Sequence, residues 1–236
     1  IRGFFFLFVW FTPFMGTALV SAAELSQSVE WLNLVHYKPQ IFGGYKSQVD
    51  GSEFFLAPDG KTNPEAELKA TVAAANGPRE VSSNLACRFP ARVLFLEKHD
   101  LLKGAPAKCE KFEAWKNRIS IQSASLVFSS YYLNNPSSAF GHTFLRLHNS
   151  KAVSSSGEHF ELLDNGVNFS ANPWTQNPFL YALMGLVGGF KGTFTAVPYY
   201  YKVREYNDFE ARDLWSYDLN LSADELEMLV AHLLEL

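Results

Sequence analysis

The chain has 236 residues, a formal charge of −4 and a hydrophobic fraction of 47%, with 21 Phe and 10 Tyr. That composition supplies a packed core and excludes a disordered chain. The mild acidity excludes a basic nucleic-acid surface, so no nucleic acid is expected as a partner.

Arg2 and the apolar run Phe4 to Val20, followed by Ser21-Ala22-Ala23 before Glu24, read as a secretory leader over 1–23 that is incomplete at its start. Pro13 and Gly16 weaken the run as a membrane span, and an uncleaved anchor is the competing reading. Either reading exports the rest of the chain. Cys87 and Cys109, 22 positions apart, are then expected to form a disulfide worth about 3 kcal/mol. Residues 28–36 place Trp31, Leu34 and Val35 on one helical face behind Ser28. After a glycine-rich loop containing Gly43-Gly44, Asn63-Pro64-Glu65 opens a helix that stops at Asn76-Gly77-Pro78. Pro90 opens another to about His99, and Phe112, Trp115 and Ile119 stripe a third, so 24–118 is predicted to be mainly helical.

From Ile119 the period changes to two. Ser123 to Tyr131, His142 to Leu147 and Phe160 to Phe169 read as strands, with the last two joined in a hairpin through Ser154-Ser-Ser-Gly157. Pro178 starts an apolar helix with Leu180, Leu183, Leu186 and Val187, predicted to be a core helix rather than a lipid clamp. Thr193 to Val203 resumes strand, Pro198 marking an edge or a bulge. Asn207-x-x-Glu210 and Ser222-x-x-Glu225 read as two capping boxes that open helices, with alternating Trp215, Tyr217, Leu219 and Leu221 between them. The last helix carries Leu226, Leu229, Val230, Leu233 and Leu234 on one face and no stop signal before Leu236, from which a fragment cut at both ends is expected. The fold class is α+β, with 119–236 as its second, incomplete unit.

His142 follows the turn Asn134-Asn-Pro-Ser-Ser-Ala-Phe140-Gly141 and heads an alternating strand, a rigid mount for a base at the rim of a cleft. Gly141 allows close backbone approach and Phe140 is positioned to wall the cleft, so both are candidate substrate contacts. A third polar group on the adjacent strand would orient the imidazole; Asn168 is the best placed, with Asp164 and Asn165 behind it. Ser137 and Ser138 lack the Gly-x-Ser-x-Gly elbow of a serine nucleophile. His142, His148 and His159 lack His-Glu-x-x-His or paired-cysteine spacing, so neither a metal nor another cofactor is predicted. His36, His99 and His232 read as helix-surface residues, and Arg146, Arg204 and Glu205 as ordinary surface charges.

Asn134-Asn-Pro-Ser-Ser-Ala-Phe-Gly-His-Thr-Phe-Leu-Arg-Leu147 resembles the Lnb N-terminal periplasmic domain family, as do Phe54 to Gly60, Cys87 to Arg92, Val167-Asn-Phe169 and Val203 to Trp215. The resemblance implies a circularly permuted relative of papain-like, NlpC-type thiol enzymes, with an antiparallel sheet whose histidine strand precedes the nucleophile. It implies a periplasmic location, His142 as base, Asn168 as orienting residue, and a cysteine beyond Leu236. The implied activity is N-acylation of lipoproteins, with a phospholipid acyl donor and a lipoprotein acceptor at a membrane surface. Two rivals stand beside it: hydrolysis of peptidoglycan peptides on the same constellation, and a non-catalytic envelope binding module.

Overall fold

A computed structural model describes residues 22–132, 140–153 and 156–235. Residues 1–21 of the expected leader, Ser137, Ser138 and residues 154–155 of the serine link lie outside the described residues.

Six helices fill the N-terminal half: α1 (Ala22–Leu25), α2 (Val29–Leu34), α3 (Pro64–Ala75), α4 (Arg79–Arg88), α5 (Pro90–Lys98) and α6 (Glu110–Ile119). Their starts are written in local chemistry. Ser28 accepts from the Trp31 N–H to cap α2, and Asn63 accepts from the Ala66 N–H to cap α3 with Pro64 in its first turn. The sequence reading left out α4, whose start at Pro78 has no side-chain cap. It also left out a hairpin of β1 (Tyr37–Pro39) and β2 (Tyr45–Ser47), turned by Gly43 and Gly44 at φ +89° and +77°. Trp31, Leu68, Phe95 and Leu96 are sealed in the helical core, and the disulfide Cys87–Cys109 ties α4 to the start of α6.

The second half is built on β3 (Ile121–Ser129), β4 (His142–Asn149), β5 (Asn165–Asn172), β6 (Lys191–Pro198) and β7 (Leu214–Asp218). They form one antiparallel sheet in the order β6-β5-β4-β3-β7, so the α+β class stands. Strand ends differ from the sequence reading by two or three residues in several places, and by five in two. Phe160 does not begin β5, because Glu161–Leu163 makes a 3-10 turn first. The predicted strand to Val203 stops at Pro198, where α8 (Tyr199–Val203) begins; α7 (Pro178–Val187) precedes β6. Pro198 closes an edge strand, and the Tyr199 N–H behind it goes to the Asp164 carbonyl, not to a ladder.

A π-helical turn, Arg204–Phe209, continues α8 and contains Asn207, which therefore caps nothing. The Ser222–Glu225 capping box is real and opens α9 (Ala223–His232). α9 covers one face of the sheet, packing Leu226 on Ala124, Leu147 and Val167. Its Ala231 reaches the helical core. On the opposite face Tyr199 and Tyr206 pack on Val127 and Phe144.

α7 corrects the sequence reading. The helix forms as expected, capped by Asn177 and ended by Gly188, but none of its side chains is buried, and Phe179 and Leu186 are 79% and 86% exposed. A period of 3.6 reports an apolar stripe, not what lies against it. Among the described residues no helix is long and apolar enough to cross a membrane.

Candidate functional site

The face of β4 that meets Tyr199 and Tyr206 carries His142, Phe144, Arg146 and His148, since strand side chains alternate. Antiparallel pairing sets Ser129, Val127 and Ser125 of β3 opposite the first three of them. On β5 the same alternation puts Gly166 and Asn168 on this face, away from Val167, which joins the α9 core. Pairing of β4 with β5 runs only over Leu145–Leu147 against Asn165–Val167. Nearer the start of β4, the described link between the two strands is a side-chain bond from His142 Nε2 to Asn168 Oδ1.

That bond fixes a tautomer. A carboxamide oxygen can only accept, so Nε2 carries the hydrogen and Nδ1 keeps its lone pair. Asn168 is 7% exposed and His142 half-buried, so the orienting group is held in the protein while the ring still meets solvent. The imidazole leans on Tyr206, 6.2 Å between ring centres, and Tyr206 leans on Phe144 at 5.8 Å. Burial, then the neighbouring Glu205 carboxylate, raise the Tyr206 hydroxyl pKa, keeping it a neutral phenol. Arg212 locks this corner: its guanidinium lies 4.8 Å from the Tyr206 ring and donates through Nε to the Ser130 carbonyl at 2.6 Å.

Gly141, directly before the histidine, has φ +90°. A Cβ there would sit 2.6 Å from the Phe128 ring and 2.7 Å from the Ser129 carbonyl oxygen. The fold itself therefore requires glycine at this position. Phe140, expected to wall a cleft, is 94% exposed. Sequence reasoning passed over Ser129, fully buried opposite His142 with a hydroxyl that lacks a hydrogen-bond partner among the described residues. It also passed over Tyr206, whose place follows from the unpredicted π turn.

Asp164, ranked with Asn165 after Asn168 as an orienting group, meets other histidines than His142. Asp164 is fully buried and accepts from the Asn149 N–H, with the imidazoles of His148 and His159 also on its oxygens. Arg146, read as a surface charge, is 6% exposed and reaches Glu161 at 3.1 Å. Arg204 and Glu205 lie in the π turn, not on a strand. His36 and His232, read as helix-surface residues, stack on one another at 5.0 Å, and His99 contacts Glu30 at 3.3 Å. A cleft of about 490 Å³ lined by Tyr199, Val203, Asn207 and Leu214 opens along α8 without including His142. Cys87 and Cys109 are bonded to each other, and no free thiol exists among the described residues.

Neither the curated proteins nor the solved structures yielded a match to this chain. Family models cover both halves. A domain of unknown function, DUF7843, matches residues 23–99, and the Lnb N-terminal periplasmic domain matches residues 111–236. The second match spans more than half of the chain and includes the whole five-stranded sheet with His142 and Asn168. The chain therefore belongs to the Lnb N-terminal periplasmic domain family, whose members are exported, envelope-associated proteins.

Proposed function

We propose that this chain supplies the base of an exported thiol acyltransferase, with His142 as the base and Asn168 as the positioning residue. The observation that carries the reading is the His142 Nε2 to Asn168 Oδ1 bond between neighbouring strands, which frees Nδ1 on a half-exposed ring. Neither cysteine here can be the nucleophile, because each is spent on the other. The proposal assigns that role to a cysteine C-terminal to residue 236, in the order a permuted papain-like enzyme has.

The chemistry then divides into two acyl transfers. Nδ1 takes the thiol proton, the thiolate attacks the ester carbonyl of a phospholipid, and the collapsing intermediate expels the alcohol, which receives that proton. The resulting thioester is attacked by the α-amine of a lipoprotein; Nδ1 takes the amine proton, the amide forms as the C–S bond breaks, and Nδ1 returns that proton to the departing thiolate. Asn168 holds the ring in one tautomer through both halves and stabilises the imidazolium when it forms. An amine acceptor distinguishes this reading from a wall hydrolase, in which water would take the acyl group.

The test is N-acylation of lipoproteins in cells that carry the full-length protein, read by mass spectrometry of lipoprotein N-termini. His142→Ala is expected to lower the rate by about 10²–10⁴-fold. Asn168→Ala should leave a partial activity with a shifted pH profile. Unchanged acylation in the His142→Ala protein would overturn the assignment, and release of wall peptides that depends on His142 would replace the amine by water.

A further inference from the structure

At the far end of β4 from His142, three ligand atoms from three chain segments converge. His148 comes from the end of β4, His159 from a bridge to Val153, and Asp164 from the residue before β5. Asp164 Oδ2 lies 3.0 Å from His148 Nδ1, and Oδ1 lies 2.9 Å from His159 Nε2. The three ligand atoms all fall within 4.8 Å of one another. We propose that His148 Nδ1, His159 Nε2 and Asp164 bind a divalent transition-metal ion, zinc by preference, that clamps the β4–β5 connection.

The donor set fits that ion. Two imidazole nitrogens and one carboxylate are borderline ligands suited to tetrahedral zinc, with water completing the fourth position. Ligands about 2.0–2.1 Å from zinc stand somewhat over 3 Å apart; Asp164 Oδ2 lies 3.0 Å from His148 Nδ1 and 3.1 Å from His159 Nε2, and all three ligand atoms lie within 4.8 Å.

Orienting groups are in place behind two of the ligands. The Asp164 carboxylate is pinned by the Asn149 N–H at 2.8 Å. The far nitrogen of His148, Nε2, lies 2.5 Å from Ser125 Oγ, which lies 2.7 Å from Asp218 Oδ1. With Nδ1 on a metal, Nε2–H donates to Ser125 and Ser125 donates to Asp218, so every proton in the chain has one acceptor. Metal-bound histidines are held in this way through their second nitrogen.

Ser125, His148 and Asp164, in that order, have the connectivity of a hydrolytic triad. Ser125 is fully buried, however, and no substrate carbonyl can reach it. Its hydroxyl is placed to orient His148 instead.

Charge and access also agree. The carboxylates of Asp164, Glu161 and Asp218 against the guanidinium of Arg146 leave a formal −2 beside the two imidazoles. Arg146 Nε stands 3.6 Å from Asp164 Oδ2, the same oxygen that faces His148. His159 is the open side of the site, its side chain 29% exposed, so an ion enters by its movement while His148 and Asp164 stay fixed.

The experiment uses the chelator-treated, metal-free protein. Zinc is titrated calorimetrically, cobalt(II) is followed by its visible absorption, and thermal unfolding is recorded with and without zinc. One ion per chain, a tetrahedral cobalt spectrum and a raised Tm are expected. His159→Ala, at the exposed ligand, should abolish stoichiometric binding without unfolding the protein. Ser125→Ala should weaken binding by about tenfold or more through the lost orienting group. His142→Ala should bind as the parent does. Absence of stoichiometric zinc uptake by the parent overturns the proposal. So does binding that survives His159→Ala but is lost in His36→Asn, which would place the ion at the His36–His232 pair.

Discussion

Arg92 is the residue whose replacement the fold should tolerate least. Its guanidinium is wholly buried between the rings of Phe54 and Phe89, 4.4 and 3.9 Å from their centres. It donates to Glu67 Oε1 at 2.6 Å and to the Phe54 carbonyl at 2.7 Å. Glu67 is equally buried and accepts from the Leu56 and Ala57 N–H groups, so both of its oxygens are partnered. Glu235, after α9, accepts from the Arg92 N–H, which carries this polar core to the C-terminal helix. Arg92→Met keeps much of the apolar stem but strands the Glu67 carboxylate on two amides. Breaking a buried pair from one side costs about 3–5 kcal/mol. For a chain of this size each kcal/mol lowers Tm by about 2–4 °C, so a fall on the order of 10 °C is expected. Glu67→Met combined with Arg92→Met removes that pair but leaves the buried Glu235 carboxylate, 4.0 Å from Arg92 Nε in the parent, without its cation, so it should recover part of the loss. Differential scanning calorimetry on the four proteins of this cycle gives the coupling. Additive losses, or a single-variant loss below about 1 kcal/mol, would refute the claim that Glu67 depends on Arg92 for its charge.

Other perturbations test separate parts of the structure. Gly141→Ala forces a Cβ against backbone and the Phe128 ring at φ +90°, and should cost about 1–3 kcal/mol in urea denaturation. Reduction of Cys87–Cys109 should remove about 3 kcal/mol by the same measurement, given a separation of 22 residues. Burial, then His232, push the His36 pKa down to about 4. The unfolded chain binds that proton from about pH 6.5 and the native protein does not, so stability is expected to fall as pH drops from about 6.5 towards 4. Linkage sets an upper bound near 3 kcal/mol, discounted to about 1–2 because the ring is partly exposed. His36→Asn, which keeps a residue tolerant of the positive φ found there, should flatten that part of the pH–stability curve.

What the sequence made legible, it made legible through local rules. Asn63-Pro64 and Ser222-x-x-Glu225 satisfy their own helix ends, and the helices start where these residues stand. Alternation put His142 and Asn168 on matching faces of adjacent strands, and the side-chain bond between them needed nothing more than that register. Local rules fail where the deciding partner is remote. Glu67 looks like any polar helix residue, yet it is buried because Arg92 lies 25 positions away and two loop amides turn towards it. Arg146 looked like a surface charge, and became a core residue because Glu161 and Asp164 fold back over β4. The apolar stripe of α7 failed in the opposite direction, since amphipathic spacing specifies a face but nothing about a partner.

The two ends of β4 show why this distinction matters for function. His142 has an amide oxygen as its partner, which accepts a hydrogen bond without bringing a charge, and its ring remains available to solvent. His148 shares a buried carboxylate with a second imidazole, and its other nitrogen is met by a buried hydroxyl. One strand thus carries two histidines on one face with opposed fates, set by the groups that β3 and β5 place beside them. A base needs one nitrogen held and the other open, and at His142 Nε2 is held while Nδ1 has no partner among the described residues. A ligand needs its outer nitrogen satisfied and its inner one aimed at other donors, which is the arrangement at His148. Exchanging those neighbours, with Asn168→Asp placing a charge on His142, should therefore raise the imidazole pKa and carry the acid limb of any His142-dependent activity to higher pH. An NMR titration of the His142 ring that showed no upward shift in the Asn168→Asp variant would mean that the two side chains do not meet in solution.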